Sequence, residues 1–216
     1  MNGLMFKMSA PYFAAFRKPT SNSSLSTFPV PPFTTIRGMI SNAMGLRRDD
    51  FTLQDIMEIG VAPVYIERPV KEKALMLKTV NNPKDNIKAF WTSPFWRDFM
   101  VMPEYKIYIK AEDALIDEIY EALINPARPL YIGQSDDMVV IEDLEKTDVV
   151  KGQSDTVNSI IEGLCDGCEL VKLLYKFRDK DTLIYTPTIS VPYELPYKLN
   201  KVIEGYYFKN DFVQLF

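Results

Sequence analysis

The segment FPVPPFTTIRGMISNAMGL, residues 28–46, changes from a proline-rich stretch to a helical pattern within a few positions. Five apolar side chains after the threonines follow the spacing i, i+3, i+4, i+7 and i+8 of one helix face: Ile36, Met39, Ile40, Ala43 and Met44. The spacing predicts an amphipathic helix that Thr34 or Thr35 caps at its start and that Gly45 ends.

The segments around this helix predict further elements in a recognisable order. Four strands are predicted from alternating or β-branched residues, and one more helix from its apolar stripe. The strands are Gly3–Ala10, Val61–Glu67, Tyr105–Lys110 and Met138–Ile141, and the second long helix is Asp113–Ile124. The order β-α-β-β-α-β is that of a ferredoxin-like or RNA-recognition fold, so we predict an α+β protein.

Two regions fall outside this order. Residues 68–103 mix lysines with aromatic side chains around an NNPKDN turn, and we predict a partly extended, inserted arm rather than a tight hairpin. The ferredoxin-like domain then covers residues 1–144. Residues 145–216 are predicted to form an acidic linker followed by a smaller β-rich lobe.

The composition narrows the chemistry. The chain has 216 residues and no histidine, which excludes Ser-His-Asp and Cys-His catalytic sites and histidine-containing zinc sites. The apolar runs are too short to span a membrane, and two cysteines without an export signal favour a cytoplasmic protein. We therefore expect a binding protein rather than an enzyme.

Charge is distributed unevenly along the chain. Residues 1–48 contain six basic side chains and no acidic one, although the whole chain has a net charge of −4. Residues 136–169 carry ten carboxylates against two lysines. A basic face of this kind attracts a polyanion, while the acidic part fits a basic partner or a solvated surface.

Three other motifs carry little functional weight. Cys165 and Cys168 form a CxxC pair, but the chain has no further Cys or His to complete a zinc site. Asp136 and Asp137 are adjacent and therefore point in different directions on a strand, so no metal site is predicted there. The PxxP sequence at Pro29–Pro32 is common by chance. No cofactor is expected.

Three pieces of the sequence, taken together, resemble the CRISPR-associated Cas-five family, the RAMP-superfamily subunits of type I Cascade complexes. They are AFRKP at Ala15–Pro19, FPVPPFTTIRGMISNAMGL at Phe28–Leu46 and PLYIGQSDD at Pro129–Asp137. Within the family, the sequence most resembles the type I-B and I-A branches. The resemblance covers residues 1–144, and the C-terminal part fits more loosely.

The resemblance implies a subunit that binds the 5′ handle of the guide crRNA and caps one end of the backbone filament. Its partners would be the backbone (Cas-seven type) and large (Cas-eight type) subunits, with target DNA nearby and no membrane. The predicted RNA-binding residues lie in the basic loop, in the first helix and in the arm: Arg17, Lys18, Thr34, Thr35, Arg37, Gly38, Ser41, Lys84, Lys88 and Arg97.

Two alternatives stay open. One branch of the family cleaves precursor crRNA without metal by means of a Tyr, Lys and His set, and this chain lacks the histidine. A metal-independent endoribonuclease is therefore the second hypothesis. A protein-interaction module without RNA contact is the third, and the acidic C-terminal half would suit it.

Overall fold

The computed structural model describes residues 1–21, 24–65, 67–81 and 88–216, with the side chains of residues 76–81 and 88–91 left out. The elements up to residue 110 are β1 Gly3–Ser9, β2 Phe13–Ala14, β3 Ser24–Leu25, α1 Phe33–Ala43, α2 Leu53–Ile56, β4 Glu58–Tyr65, β5 Val70–Asn81, β6 Lys88–Val101 and β7 Glu104–Lys110. Those after residue 110 are α3 Asp113–Ile124, β8 Val140–Thr147, β9 Val149–Val157, β10 Ile161–Glu162, β11 Cys168–Val171, β12 Leu174–Phe177, β13 Leu183–Tyr185, β14 Ile189–Pro192, β15 Tyr197–Phe208 and β16 Asp211–Val213. The chain is a mixed α/β protein in which strands predominate.

The main sheet has four antiparallel strands in the order β4-β7-β1-β8. The side chains along each strand point alternately to the two faces of the sheet. Leu4, Phe6 and Met8 of β1 are buried on one face, opposite Ile109, Ile107 and Tyr105 of β7. Helices α1 and α3 supply their buried side chains to the same core.

The second face of the main sheet is covered by the C-terminal part of the chain. Tyr108 and Ala62 pack there with Phe208 of β15 and with Val213 of β16. The ring centroids of Tyr108 and Phe208 are 5.3 Å apart. Strand β15 also pairs with β9 and β16 in a three-stranded sheet. Both faces of the main sheet are therefore packed against other parts of the protein.

Residues 145–216 are more closely tied to the rest of the chain than the predicted linker and lobe suggest. The expected linker is occupied by the end of β8 and by β9. Six buried residues beyond 157 join the core that α1 and α3 build: Ile160, Val171, Leu173, Leu174, Ile189 and Val191. The final residue, Phe216, exchanges two backbone hydrogen bonds with Ile59 of β4.

Strands β5 and β6 lie within residues 68–103, the region of the predicted inserted arm. Strands β5 and β6 pair in continuous antiparallel register from Val70–Phe99 to Asn81–Lys88, which makes a long two-stranded hairpin. Proline and a mixture of lysines with aromatic residues obscured the alternation on which a strand prediction depends. The NNPKDN turn overlaps residues 82–87, which lie outside the described residues.

Candidate nucleic-acid interface

A groove with a volume of about 660 Å³ runs beside the exposed side of α1. Its walls come from α1, from the segment that follows it, from the connection between α3 and β8, and from β12. The lining residues are Thr34, Arg37, Gly38, Ser41, Asn42, Leu46, Arg47, Arg48, Asp49, Asp50, Phe51, Leu53, Gln54, Arg128, Tyr131 and Phe177. Of the predicted RNA-binding residues, the groove brings together Thr34, Arg37, Gly38 and Ser41.

One wall is fixed at the end of α1. Gly45 has the positive φ of a left-handed helix cap, +73°, and the amide of Leu46 donates to the carbonyl of Ser41 at 2.9 Å. Arg128 then covers the exposed carbonyls, because its Nη1 donates to Leu46 at 3.0 Å and its Nη2 to Gly45 at 3.2 Å. These bonds place a guanidinium at the C-terminal, negative end of the helix dipole, where a positive charge is stabilising.

The opposite wall holds a pair of stacked aromatic rings. The rings of Phe51 and Phe177 lie 5.0 Å apart at an interplanar angle of 21°. Gln54 fixes the second ring, because its amide both donates to the carbonyl of Phe177 and accepts from the amide of Phe177, each at 3.0 Å. Such a pair offers a rigid apolar surface beside polar groups.

Positive charge outweighs negative charge in the groove, where four arginines face two aspartates. Arg47 and Arg48 are exposed, and neither forms a salt bridge with a described residue. Hydrogen bonds from the side chain and backbone of Thr52 lower the pKa of Asp50, so this carboxylate stays ionised. The groove can therefore attract an anion through Arg47 and Arg48.

The helical spacing predicts that Arg37 lies on the open face of α1, away from the apolar stripe, and this prediction is wrong. Arg37 is only 5% exposed, and its Nη1 donates to the carbonyl of Tyr175 at 2.5 Å. Its guanidinium lies 5.4 Å from the centre of the Tyr175 ring. Burial lowers the pKa of Arg37 to about 10, so the side chain is still a cation at neutral pH. The cause is β12, which covers a second face of the helix.

The predicted threonine cap of α1 is also wrong. The helix begins at Phe33, with Pro32 as the cap residue and no side-chain cap hydrogen bond. Phe33 is fully buried between Phe216 and Tyr175, at ring distances of 5.0 Å and 6.0 Å. Thr35 is half-buried and lies outside the groove. Gly45, by contrast, ends the helix as predicted.

Arg17 and Lys18 lie in a separate loop and do not line the groove. The side chain of Arg17 is exposed, whereas the ammonium of Lys18 lies 5.4 Å from the centre of the Phe28 ring. Their contact with RNA stays a prediction.

The predicted arm residues have different environments. Arg97 is half-buried, forms an ion pair with Glu72 across the hairpin and lies 5.6 Å from the centre of the Phe99 ring. Lys88 is the first residue of β6, and its side chain is not among those described. Lys84 lies outside the described residues. The guanidinium of Arg97 thus interacts with other side chains of the hairpin.

Sequence reasoning missed three arginines of the groove as site residues: Arg47, Arg48 and Arg128. The first two directly follow the predicted end of α1, and that position was the available signal. Arg128 is brought to Gly45 only by the tertiary fold, so no local pattern identifies it.

Metal and thiol chemistry find no support in the described part of the chain. No group of three or more Cys, Asp or Glu side chains there is placed to hold a metal ion. Cys165 and Cys168 are free and partly buried, and burial raises the pKa of the Cys168 thiol. A raised pKa disfavours the reactive thiolate. No helix among the described residues combines the length and apolarity needed to cross a membrane.

A protein-family model described as CRISPR-associated protein (Cas_Cas5) matches residues 3–182, which is most of the chain. No curated protein matches by sequence. The match to the family model therefore establishes the family of the chain, and the solved structures provide a comparison of the fold.

Two solved structures resemble almost the whole chain. A CRISPR protein from Archaeoglobus fulgidus has a TM-score of 0.58 at 14% identity, and the match covers 99% of this chain and 98% of that one. A chain of a CRISPR RNA-guided surveillance complex has a TM-score of 0.51 at 17% identity, with 94% and 90% covered. The match to a structure described only as a Cas protein covers 63% of this chain and 58% of that one, at 20% identity and a TM-score of 0.43.

Proposed function

Because the chain belongs to the CRISPR-associated protein (Cas_Cas5) family, we propose that it is a non-catalytic subunit of a type I CRISPR interference complex. In this role it binds the 5′ handle of the guide crRNA and caps the backbone filament. Its partners are then the backbone and large subunits, and target DNA passes nearby. A solved chain with a similar fold belongs to a CRISPR RNA-guided surveillance complex, which supports this assignment.

The observation that carries the proposal is the arginine-rich groove beside α1. Arg47 and Arg48 have no carboxylate partner among the described residues, and the groove also offers hydroxyl groups from Thr34 and Ser41. Single-stranded RNA is held by contacts of this kind, with phosphates on basic residues and bases stacked on aromatic rings. The stacked pair Phe51 and Phe177 supplies such a surface in the same groove.

The sheet topology supports the groove as the RNA site. We infer a ferredoxin-like (RAMP) arrangement, since the split strand order β4-β7-β1-β8 with α1 and α3 is what that layout requires. RNA-recognition domains stack bases on their open sheet face. Here Phe208 and Val213 pack on that face, so the RNA must use another surface.

The hairpin β5–β6 offers a second surface. Lys71, Lys73, Leu75, Pro94 and Trp96 occupy one face of the ladder, because residues opposite each other across two strands share a face. All five are exposed. Lysines beside an exposed tryptophan suit single-stranded RNA, and Lys84 and Lys88 stay predictions for the same role.

The absence of catalysis is part of the proposal. The chain has no histidine, and the described lining of the groove includes Tyr131 but no lysine. The metal-independent endoribonuclease therefore ranks second, because the chain lacks the histidine of the Tyr, Lys and His set and no lysine accompanies Tyr131 in the described lining of the groove.

The test measures binding of a fluorescein-labelled guide RNA that contains the host's CRISPR repeat, over a range of salt concentrations. Arg47→Ala/Arg48→Ala is expected to lower the affinity about tenfold and the slope of log affinity against log salt by about 1.4, since two phosphate contacts are lost. Lys201→Ala is the control, because this exposed lysine of β15 lies outside the groove.

Equal affinity in the groove variant and the control would contradict the RNA site. The same mixtures, run on a denaturing gel with and without Mg²⁺, test the second half of the proposal. Intact RNA is expected throughout. Cleavage at the handle boundary would instead identify the endoribonuclease.

A further inference from the structure

The buried carboxylate of Asp137 lies beside the loop that carries Arg17 and Lys18. Its Oδ2 accepts hydrogen bonds from the amide of Ala15 at 2.9 Å and from the amide of Gln134 at 3.0 Å. Asp137 is only 1% exposed, and it is 122 residues away from Ala15 in the sequence. One side chain thus joins a turn after α3 to the start of the basic loop.

The same turn approaches the loop closely at Gly133. Gly133 has a φ of +87°, and a Cβ atom at this position would lie 2.4 Å from the carbonyl oxygen of Ala15. Only glycine permits both this backbone conformation and this contact. The amide of Ala15 is therefore hydrogen-bonded to the turn at residues 133–137, and its carbonyl lies close against Gly133 of the same turn.

The other side of the loop is held by the chain just before α1. The amide of Phe16 donates to Oγ1 of Thr27 at 2.8 Å, and the amide of Lys18 donates to the carbonyl of Ser26 at 2.8 Å. Phe16 is 2% exposed and packs on Tyr105 at a ring distance of 5.9 Å. With Ala15, Phe16 and Lys18 fixed, the side chain of Arg17 projects into solvent.

Stability alone does not account for a carboxylate at this position. The second oxygen of Asp137, Oδ1, is buried and has no hydrogen-bond partner among the described residues. The charged groups that act on Asp137 are Asp136, which is repulsive, and Arg97, which is attractive but pairs with Glu72. Burial of a carboxylate with only one hydrogen-bonded oxygen costs free energy, and a protein with an apolar residue of similar volume at such a position is often equally stable.

We propose that Asp137 is a positioning residue that fixes the loop of Arg17 and Lys18 for contact with RNA phosphates. This inference rests on the proposed function, because it presumes that the loop binds RNA. Asp137 itself touches the backbone of Ala15 and acts only through that loop.

The experiment is a double-mutant cycle on the full chain, read by binding of the same fluorescein-labelled guide RNA. Asp137→Ala and Arg17→Ala/Lys18→Ala are each expected to lower the affinity about tenfold, because either change would remove two phosphate contacts. The triple variant is expected to bind no more weakly than the double variant. Asp136→Ala, at the exposed neighbouring carboxylate, is the control and is expected to bind normally.

Asp137→Asn separates positioning from folding, because it retains an oxygen that can accept from Ala15 and is expected to recover most of the affinity. Hydrogen exchange of the peptide that contains Ala15 is expected to rise in Asp137→Ala and to stay low in Asp137→Asn. Both readouts report on the loop even if Asp137→Ala is less stable.

The outcomes distinguish two failures. If the loop variant weakens binding but Asp137→Ala does not, or if the two effects add in the triple variant, the positioning role is wrong while the loop remains an RNA contact. If Arg17→Ala/Lys18→Ala itself binds normally, the loop is no RNA contact and the inference falls with it. The groove variant Arg47→Ala/Arg48→Ala still tests the proposed function independently.

Discussion

Arg37 of α1 is joined to Tyr175 of β12 by a hydrogen bond of 2.5 Å from Nη1 to the carbonyl oxygen. The guanidinium also lies over the Tyr175 ring, at 5.4 Å from its centre. The two residues are 138 positions apart in the sequence. This contact closes the second face of α1 with the C-terminal part of the chain, and it turns a predicted surface arginine into a buried link between the two regions.

Removal of this link is expected to destabilise the protein. Arg37→Ala leaves a cavity and an unpaired carbonyl at Tyr175, so the free energy of unfolding should fall by about 2–3 kcal/mol. Arg37→Met keeps most of the side-chain volume and removes a buried guanidinium whose Nε and Nη2 have no described partner. Its loss in free energy of unfolding should therefore be smaller than that of Arg37→Ala by about 1 kcal/mol or more. Urea unfolding followed by tryptophan fluorescence measures both values.

A free energy of unfolding for Arg37→Ala within about 0.5 kcal/mol of the wild type would place the side chain on the surface. Arg47→Ala is the matched control, because it removes an exposed arginine close to the same helix. It should leave stability unchanged.

Patterns local to one segment allowed part of the fold to be predicted. Helix α3 has the predicted bounds, Asp113–Ile124, and β7 begins one residue before its prediction, at Glu104. In both segments one periodicity runs without interruption between clear boundaries. The pairing of β5 with β6 inside the predicted arm does not follow from a local pattern, because the strands alternate charged and apolar residues irregularly and the pairing extends over 30 residues of sequence.

The site was harder to predict than the fold, because it depends on contacts between distant segments. Including Phe33, the spacing i, i+3, i+4 and i+7 runs through Ile36, Arg37 and Ile40, so it indicates that Arg37 faces inward. Arg37 follows this spacing in spite of its charge. Neither the contact of Arg37 with β12 nor that of Arg128 with Gly45 can be read from either segment alone.

Gly133 gives a prediction about the turn that approaches the basic loop. Gly133→Ala combines a positive φ with a Cβ atom 2.4 Å from the carbonyl of Ala15. Gly167→Ala has a φ of +68° but no atom within 4 Å, so it should cost only about 1 kcal/mol of backbone strain. Gly133→Ala should lose about 2 kcal/mol more in free energy of unfolding, because the loop must shift.

Chemical denaturation of both glycine variants measures this difference. Equal losses would contradict the close contact between Gly133 and Ala15. Gly133→Ala should in addition weaken RNA binding, whereas Gly167→Ala should not.

The pH dependence of stability tests the environment of Asp137. Burial raises the pKa of Asp137 above its ordinary value of 3.8, against the hydrogen bonds from Ala15 and Gln134, which lower it. Between 3.8 and the raised pKa, the folded protein binds more protons at this site than the unfolded chain does. The contribution of Asp137 to the free energy of unfolding therefore increases as the pH falls through that interval.

The asparagine of Asp137→Asn does not titrate. In the difference in stability between the wild type and this variant, the contributions of the other titratable groups therefore cancel. The stability of the wild type relative to Asp137→Asn should rise as the pH is lowered from 7 towards 4, as measured by urea unfolding at each pH. A relative stability that falls instead would mean that hydrogen bonding outweighs burial and that the carboxylate has a lowered pKa.

Gly38 separates the stability of α1 from its proposed contact with RNA. This glycine is exposed in the middle of the helix, and a Cβ atom there would meet nothing within 4 Å. Gly38→Ala should therefore raise the free energy of unfolding by about 0.5–1 kcal/mol, because alanine loses less backbone entropy in a helix. Gly38 also lines the groove, so an added methyl group obstructs close approach by RNA.

The expected result for Gly38→Ala is thus a more stable protein that binds guide RNA more weakly. Thr35→Ala is the matched control, because it also improves helix propensity in α1, and Thr35, although a predicted RNA contact, is half-buried and lies outside the groove. It should gain stability without any loss of affinity. If both variants bind RNA as the wild type does, the RNA does not approach α1 at Gly38. If both bind more weakly, the cause is a change in the helix rather than contact in the groove.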